Sequence, residues 1–261
     1  MAVNENLKRV PANPEAGVSP LSPERARRDE SAEENLALAR RTYLALKYAL
    51  EPILALAMLI VLFPIMLLLA LAVKLSSPGP VLYSQERVGL NGRTFKILKF
   101  RSMRVDAEDG TGPVWSVGKD PRATKIGSWM RKTHLDELPQ LFNVLVFQMV
   151  FVGPRPERPV FVERFRKTID RYDERHRVKP GITGWAQVNQ EADATLEDVK
   201  RKVLFDREYI ARVSPLFDLK VLVLTVVGIL GLTRAGDYDI KRLDKPHAIP
   251  DGPVKPSGDT D

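Results

Sequence analysis

From Pro52 to Val73 the chain runs for 22 residues without a charge, nearly all of them Leu, Ile, Val, Ala, Met or Phe. A soluble amphipathic helix would show polar residues every three or four positions, and none occurs here. As a helix the run would reach roughly 33 Å, enough for a hydrocarbon core of about 30 Å. Pro64 lies inside it, where a proline removes one backbone hydrogen bond and clashes with the carbonyl four residues earlier. That predicts a break with 12 residues before it and 9 after it. The pieces, roughly 18 and 14 Å long, do not span separately. Arg40, Arg41 and Lys47 precede the run, and Lys74, Arg87 and Arg93 follow it. Positive charge prefers the cytoplasmic side, and here both flanks carry it. A segment that enters, bends at Pro64 and leaves on one face satisfies both flanks. A Pro-kinked helix that spans fully is the other reading the pattern allows.

Beyond Lys74 the pattern becomes that of a mixed domain. Val81–Tyr83 and Arg93–Phe100 read as strands around an Asn91-Gly92 turn, a strong hairpin signal. Thr124–Lys132, Leu138–Phe147, Pro159–Arg175 and Leu196–Arg212 read as helices. Two further stretches are apolar but too short or too interrupted to cross a membrane. One is Leu216–Leu232, broken by Asp218 and Lys220; the other is Leu141–Val152, where Asn143 and Gln148 are the polar positions. Together they predict a domain lying against a membrane surface.

The ends differ from this middle. Pro11, Pro14, Pro20 and Pro23 are scattered through polar sequence at the start, and Pro246, Pro250, Pro253 and Pro256 near the end. The expected organisation is a disordered tail over 1–40 and a membrane-embedded helix over 41–75. A mainly helical α+β domain with a small β-hairpin follows over 76–235, then a polar Pro-rich tail over 236–261. No secretory signal is expected, because no apolar h-region with a small-residue cleavage site opens the chain, and no internal repeat is found.

Composition narrows the chemistry. The 261 residues contain no cysteine, which excludes disulfides, thiolate metal sites, Fe–S clusters and cysteine nucleophiles. His134, His176 and His247 are the three histidines, too few to favour a multi-histidine metal site. Forty Lys+Arg against 33 Asp+Glu give a net charge of +7, which points towards phosphate in some form: nucleotide, anionic lipid or nucleic acid. A nucleic-acid-binding protein would account for the charge but not for Pro52–Val73, so no nucleic-acid partner is expected. Gly112–Lys119 has five intervening residues rather than the four of a P-loop, and Asp120 stands where Ser or Thr belongs. No G-x-G-x-x-G opens a helix. Phosphate would therefore be held by side chains and helix N-termini, with Lys99, Arg101, Arg131, Lys132 and Arg155 as candidates.

Two local constellations stand out. In His134-Leu-Asp-Glu-Leu-Pro139-Gln140, the proline marks a first helical turn, so Asp136 and Glu137 lie at or just before a helix start. Acidic residues there cap helices and complement the dipole, which is the reading the local pattern favours. The functional reading is that a carboxylate, with Arg131 nearby, attacks or coordinates a phosphorylated substrate. Adjacent carboxylates point about 100° apart on a helix, which suits one nucleophile with a supporting partner better than a glycosidase pair. In Gly153-Pro154-Arg155-Pro156, two prolines fix the backbone around an arginine suited to bidentate phosphate binding.

Taken as a set, these residues resemble a known family. Ser77–Val81, Gln85–Gly89, Phe95–Met103, Leu135–Asn143, Gly153–Pro156 and Lys179–Val188 follow one another in order. They are similar to the blocks of the bacterial sugar transferases, the monotopic polyprenyl-phosphate sugar-1-phosphate transferases, in their short, catalytic-domain form. The similarity covers about residues 45–235. It implies a re-entrant membrane helix broken at Pro64 and a catalytic domain on the cytoplasmic face of the bacterial inner membrane. It further implies transfer of a sugar-1-phosphate from a UDP-sugar to undecaprenyl phosphate with Mg²⁺, at the start of exopolysaccharide or O-antigen synthesis. It implies that Asp136 is the nucleophile, that Asp136 and Glu137 serve the metal, and that Lys99, Arg101, Arg131, Arg155 and Pro156 belong to the phosphate site. The chain departs from the family pattern at Phe63, where Ser is common, and at Phe147-Gln148-Met149-Val150, where Gly-Asp-Met-Ser is common. A homodimer is compatible with the sequence, which does not name the sugar. The rival reading is a non-catalytic membrane-surface scaffold binding anionic lipids. An intact Asp136-Glu137 pair among basic residues argues against it, since a scaffold needs no carboxylate there.

Overall fold

The computed structural model describes residues 23–105, 107, 120–191 and 193–232, with side chains described from residue 34 onward. Residues 1–22, the Gly112–Lys119 stretch and the C-terminal tail 236–261 lie outside the described residues. Among the described residues the fold is a mainly helical α+β arrangement with one long apolar helix and two small sheets.

Helix α1 spans Pro23–Ser76. It begins inside the stretch read as a tail, so residues 23–40 are helical. It continues through both Pro52 and Pro64. The helix hairpin expected at Pro64 is therefore not what these residues form. Packing carries the helix through: Leu44, Ala55, Leu59, Met66, Leu69 and Val73 form one buried stripe on both sides of the proline. Leu44 joins Val152, Tyr209, Phe217 and Val221, and Ala55 to Val73 join Ile97, Phe100, Met130, Leu141 and Val144. From Leu44 to Val73 the contact runs about 44 Å along the helix axis. The opposite face, including Ile53, Ile60, Val61, Phe63 and Leu68, is exposed and wholly apolar.

The expected hairpin is present and longer than its first strand suggested. Strand β1 (Leu82–Val88) pairs antiparallel with β2 (Thr94–Phe100), Leu82 opposite Phe100 and Val88 opposite Thr94. Asn91 and Gly92 both take positive φ in the connecting turn, as the Asn-Gly signal requires. Helix α2 (Lys125–Lys132) starts at Thr124, whose side chain accepts the Gly127 N–H. Helix α3 is shorter than expected, Gln140–Leu145, because Phe147 turns left-handed at φ 63°.

A second sheet went unforeseen. Strands β3 (Val150–Val152) and β4 (Gly181–Thr183) pair in parallel, three residues each. Between them the expected helix 159–175 divides into α4 (Pro159–Arg166) and a 3-10 turn, Tyr172–Arg177, started by Arg171 at φ 57°. After β4 come α5 (Trp185–Asn189), α6 (Leu196–Arg212) and α7 (Pro215–Ile229). Helix α6 has the expected bounds and a Thr195–Asp198 capping box. Helix α7 leaves Leu216, Leu219, Val223, Val226 and Ile229 exposed.

Candidate active site

Four local decisions of the chain converge on Glu137. His134 adopts a left-handed conformation (φ 57°) at the end of α2, where glycine is usual, and turns the backbone sharply. The 3-10 turn Leu135–Glu137 then carries both carboxylates into the interior, and both are buried. Strand β2 brings in Lys99, whose Nζ lies 2.6 Å from Glu137 Oε1. The rigid loop after β3 brings in Arg155, whose two guanidinium nitrogens donate to Glu137 at 2.6 and 3.3 Å.

The dyad is sharply asymmetric. Glu137 is held by two cations, while Asp136 makes no hydrogen bond or ion pair among the described residues. Burial pushes the Glu137 carboxyl up, but Arg155 and Lys99 outweigh it and hold the group well below the usual range. For Asp136 burial wins, aided by the neighbouring Glu137 charge against Lys99, Arg155 and Arg131, so its carboxyl is raised. Burial lowers the Lys99 ammonium, with Glu137 opposing; Glu137 raises the Arg155 guanidinium against the cost of its burial. One carboxylate is thus a fixed anchor for two cations, and the other has no such partner among the described residues.

Of the residues expected in the site, Lys99, Asp136, Glu137 and Arg155 come together. Arg131 lies close enough to act on the Asp136 charge and places Nη1 3.9 Å from Asp120. Pro156 is buried behind Arg155, and its carbonyl accepts from Arg87 at 3.0 Å. Arg101 does not join them. It is buried, and its guanidinium donates to the carbonyls of Pro78 (2.8 Å) and Ser77 (2.7 Å) and to the Ser77 hydroxyl (3.0 Å). Its role is to tie the end of α1 to β2, because those carbonyls follow a helix end and need donors.

Supporting residues escaped sequence reasoning. Arg175 is buried, bonds Asp206 at 2.9 Å and donates to the Arg155 carbonyl at 2.8 Å. Lys202 and Arg87 pair with Glu157, whose carboxyl is held at about 2, the cations prevailing over the burial that would raise it. Asn143 donates to the Lys96 carbonyl (2.8 Å) and accepts the Leu98 N–H (3.0 Å), locking β2 onto α3. The available signal was its polarity in an otherwise apolar stretch.

No group of three or more acidic or histidine side chains suited to a metal occurs among the described residues. Mg²⁺ commonly takes one or two carboxylates and completes its shell with water and substrate phosphate. The unpaired Asp136 carboxylate, with Glu137 beside it, fits that kind of site.

The family profile described as bacterial sugar transferase matches residues 42–231. The chain belongs to that family. It is 47% identical over 199 residues to a UDP-glucose:undecaprenyl-phosphate glucose-1-phosphate transferase of Xanthomonas campestris pv. campestris, covering 75% of this chain and 41% of that protein. Identity to the UDP-N-acetylgalactosamine-undecaprenyl-phosphate N-acetylgalactosaminephosphotransferase of Aeromonas hydrophila is 44% over 167 residues, 64% of this chain and 39% of the relative. The exopolysaccharide production protein PSS of Rhizobium leguminosarum bv. phaseoli is 40% identical over 200 residues, 75% of this chain and 99% of its own length. The chain thus spans about two fifths of the first two relatives and nearly all of the third. The long apolar helix of this chain fits association with a membrane.

Proposed function

We propose that the protein transfers a sugar-1-phosphate from a UDP-sugar to undecaprenyl phosphate, the first membrane step in making a surface polysaccharide. The observation that carries this reading is the asymmetric dyad: an unpaired, buried Asp136 beside a Glu137 that holds Lys99 and Arg155 in place. In the proposed first step an Asp136 oxygen attacks the phosphorus bearing the sugar. The P–O bond to the uridylyl phosphate breaks, and UMP leaves with the bridging oxygen. Lys99, Arg155 and Arg131 face the negative charge that accumulates on the phosphoryl oxygens. In the second step a phosphate oxygen of the lipid attacks the aspartyl phosphosugar, freeing the carboxylate. Mg²⁺ at the unpaired Asp136 carboxylate, with Glu137 beside it, would supply further neutralisation of the diphosphate.

The same reading places the protein on the cytoplasmic face of the inner membrane. Support comes from α1, whose Leu44, before the apolar run, and Val73, at its end, both pack on the same domain while the opposite face of the run is apolar and exposed. A helix crossing the bilayer would have to carry that domain with it. Entry and exit on one side, expected as a hairpin, is here proposed for a continuous helix embedded lengthwise.

The test is mass spectrometry of the protein with Mg²⁺ and UDP-sugars, glucose and N-acetylgalactosamine first, without lipid acceptor. A sugar-phosphate adduct on Asp136 and a stoichiometric release of UMP are expected. Asp136→Asn removes both. Turnover with lipid but without any adduct would mean direct attack by the lipid phosphate, with Asp136 serving only as ligand or base.

A further inference from the structure

Strand β3 is three residues long and, among the described residues, pairs only with β4, at Val150–Gly181 and Val152–Thr183. Its second edge would be left with unpaired backbone groups, which a buried edge cannot tolerate. Helix α1 supplies the partners. The Glu51 carboxylate accepts the Phe151 N–H at 2.7 Å, and Lys47 Nζ donates to the Val152 carbonyl at 2.7 Å. Two side chains of a helix therefore stand where a third strand would be.

Lys47 is itself pinned. It pairs with Asp218 of α7, which also accepts from the Tyr43 hydroxyl at 2.6 Å, while the Tyr209 hydroxyl lies 2.8 Å from both Asp218 and the Val152 carbonyl. The next residue contributes too: the Tyr48 hydroxyl accepts the Lys179 N–H at 3.0 Å, just before β4. So Lys47, Tyr48 and Glu51, within five positions of α1, hold β3 and the approach to β4, while Tyr43 steadies the Asp218 partner of Lys47. Lys47, expected as a free basic flank of a membrane segment, is instead buried.

What the strand leads to gives this grip a purpose. Three residues after Val152 comes Arg155, the phosphate-facing arginine. The intervening backbone is stiff: the Gly153 N–H donates to Thr183 at 2.9 Å, and the Pro154 carbonyl accepts from Gly181 at 3.0 Å. A shift of β3 has no slack in which to dissipate before it reaches Arg155. We infer that the Tyr43–Glu51 stretch of α1, through Lys47 and Glu51, is a positioning element for Arg155, so that the apolar helix sets nucleotide affinity besides serving as an anchor. This rests on the reading of Arg155 as a ligand of the substrate diphosphate.

The experiment measures UDP binding by the full chain in nanodiscs of phosphatidylcholine and phosphatidylglycerol. Glu51→Leu cannot accept the Phe151 N–H and should weaken UDP affinity at least fivefold, with the membrane-bound fraction unchanged. Glu51→Gln keeps an acceptor at the same reach and should stay within twofold of wild type. Ile169→Ala, which loosens the separate cluster of Val162, Phe165 and Val199, should lower the melting temperature without changing UDP affinity. A second measurement needs no variant: by reciprocity, UDP should slow hydrogen exchange in peptides covering residues 43–52 as well as those covering 150–156. Wild type that binds UDP, with Glu51→Leu binding equally well or with protection confined to 150–156, overturns the inference alone. Wild type that does not bind UDP overturns the functional reading and this inference with it.

Discussion

Replacing Asn143 by alanine should separate the architecture of the site from its chemistry. The side chain is buried and makes three bonds: to the Lys96 carbonyl and Gln148 Oε1 at 2.8 Å each, and from the Leu98 N–H at 3.0 Å. A typical bond of this kind contributes about 0.5–1.5 kcal/mol net, and a buried group left unmade costs about 1–3 kcal/mol. Leu98 is half-buried and Lys96 exposed, so water repairs part of the loss. The expected destabilisation is therefore about 2–3 kcal/mol, read as a lower urea midpoint with an unchanged m-value. Function should suffer separately, because Lys99 sits one residue beyond Leu98 on the released strand. UDP-sugar KM should rise more than kcat falls. Asn143→Asp offers a sharper version. The introduced carboxylate still accepts the Leu98 N–H but faces two other oxygens, so it should be less stable than Asn143→Ala at neutral pH and recover towards acid pH. A loss below about 0.5 kcal/mol for Asn143→Ala, or unchanged kinetics in a destabilised protein, would refute the reasoning that this amide places Lys99.

Arg175→Met leaves Asp206 buried without its partner and should cost about 3–5 kcal/mol in urea unfolding, whereas Arg175→Met with Asp206→Asn should recover most of it; absence of recovery would show that the packing, not the charge, matters. The two dyad carboxylates should respond to pH with opposite signs. The Asp136 carboxyl is raised in the folded protein, so its ionisation opposes folding. Asp136→Asn should melt higher than wild type at neutral pH, with the difference vanishing as pH falls through the folded value. Glu137 is depressed, so its ionised form stabilises the fold: Glu137→Gln should melt lower at neutral pH, and that gap should persist until pH falls well below the ordinary glutamate value of 4.5. If Asp136 is the nucleophile, the acid limb of the rate should also fall above the ordinary aspartate value of 3.8.

Much of the fold was legible because its signals are local. Thr124 and Thr195 announce the starts of α2 and α6, and Asn91-Gly92 announces the hairpin. The parallel strands were not legible, since three residues are too few for an alternating pattern and their partners lie about 31 positions apart. The long helix 159–175 was overcalled because Arg171 breaks it with a left-handed backbone that no Gly or Pro advertises. Within the site, Lys99, Asp136, Glu137 and Arg155 were readable from side-chain chemistry and motif. Arg101 was not, because a basic residue two places from Lys99 looks like a second phosphate ligand until the carbonyls of Ser77 and Pro78 are seen around it. Arg175 was hidden by distance, its partner Asp206 lying 31 residues away.

The bond between Lys47 and Asp218 also has a consequence in time. The two residues are separated by 171 positions. At about 5–20 residues per second of synthesis, roughly 10–30 s pass between the appearance of the lysine and that of its partner. Through that interval α1 has an apolar outer face ready for lipid and an inner face whose ammonium and carboxylate still need water. The helix can therefore meet the membrane early but cannot be seated until α7 has been made. A nascent chain stopped short of Asp218 would hold its apolar helix with Lys47 still lacking its partner.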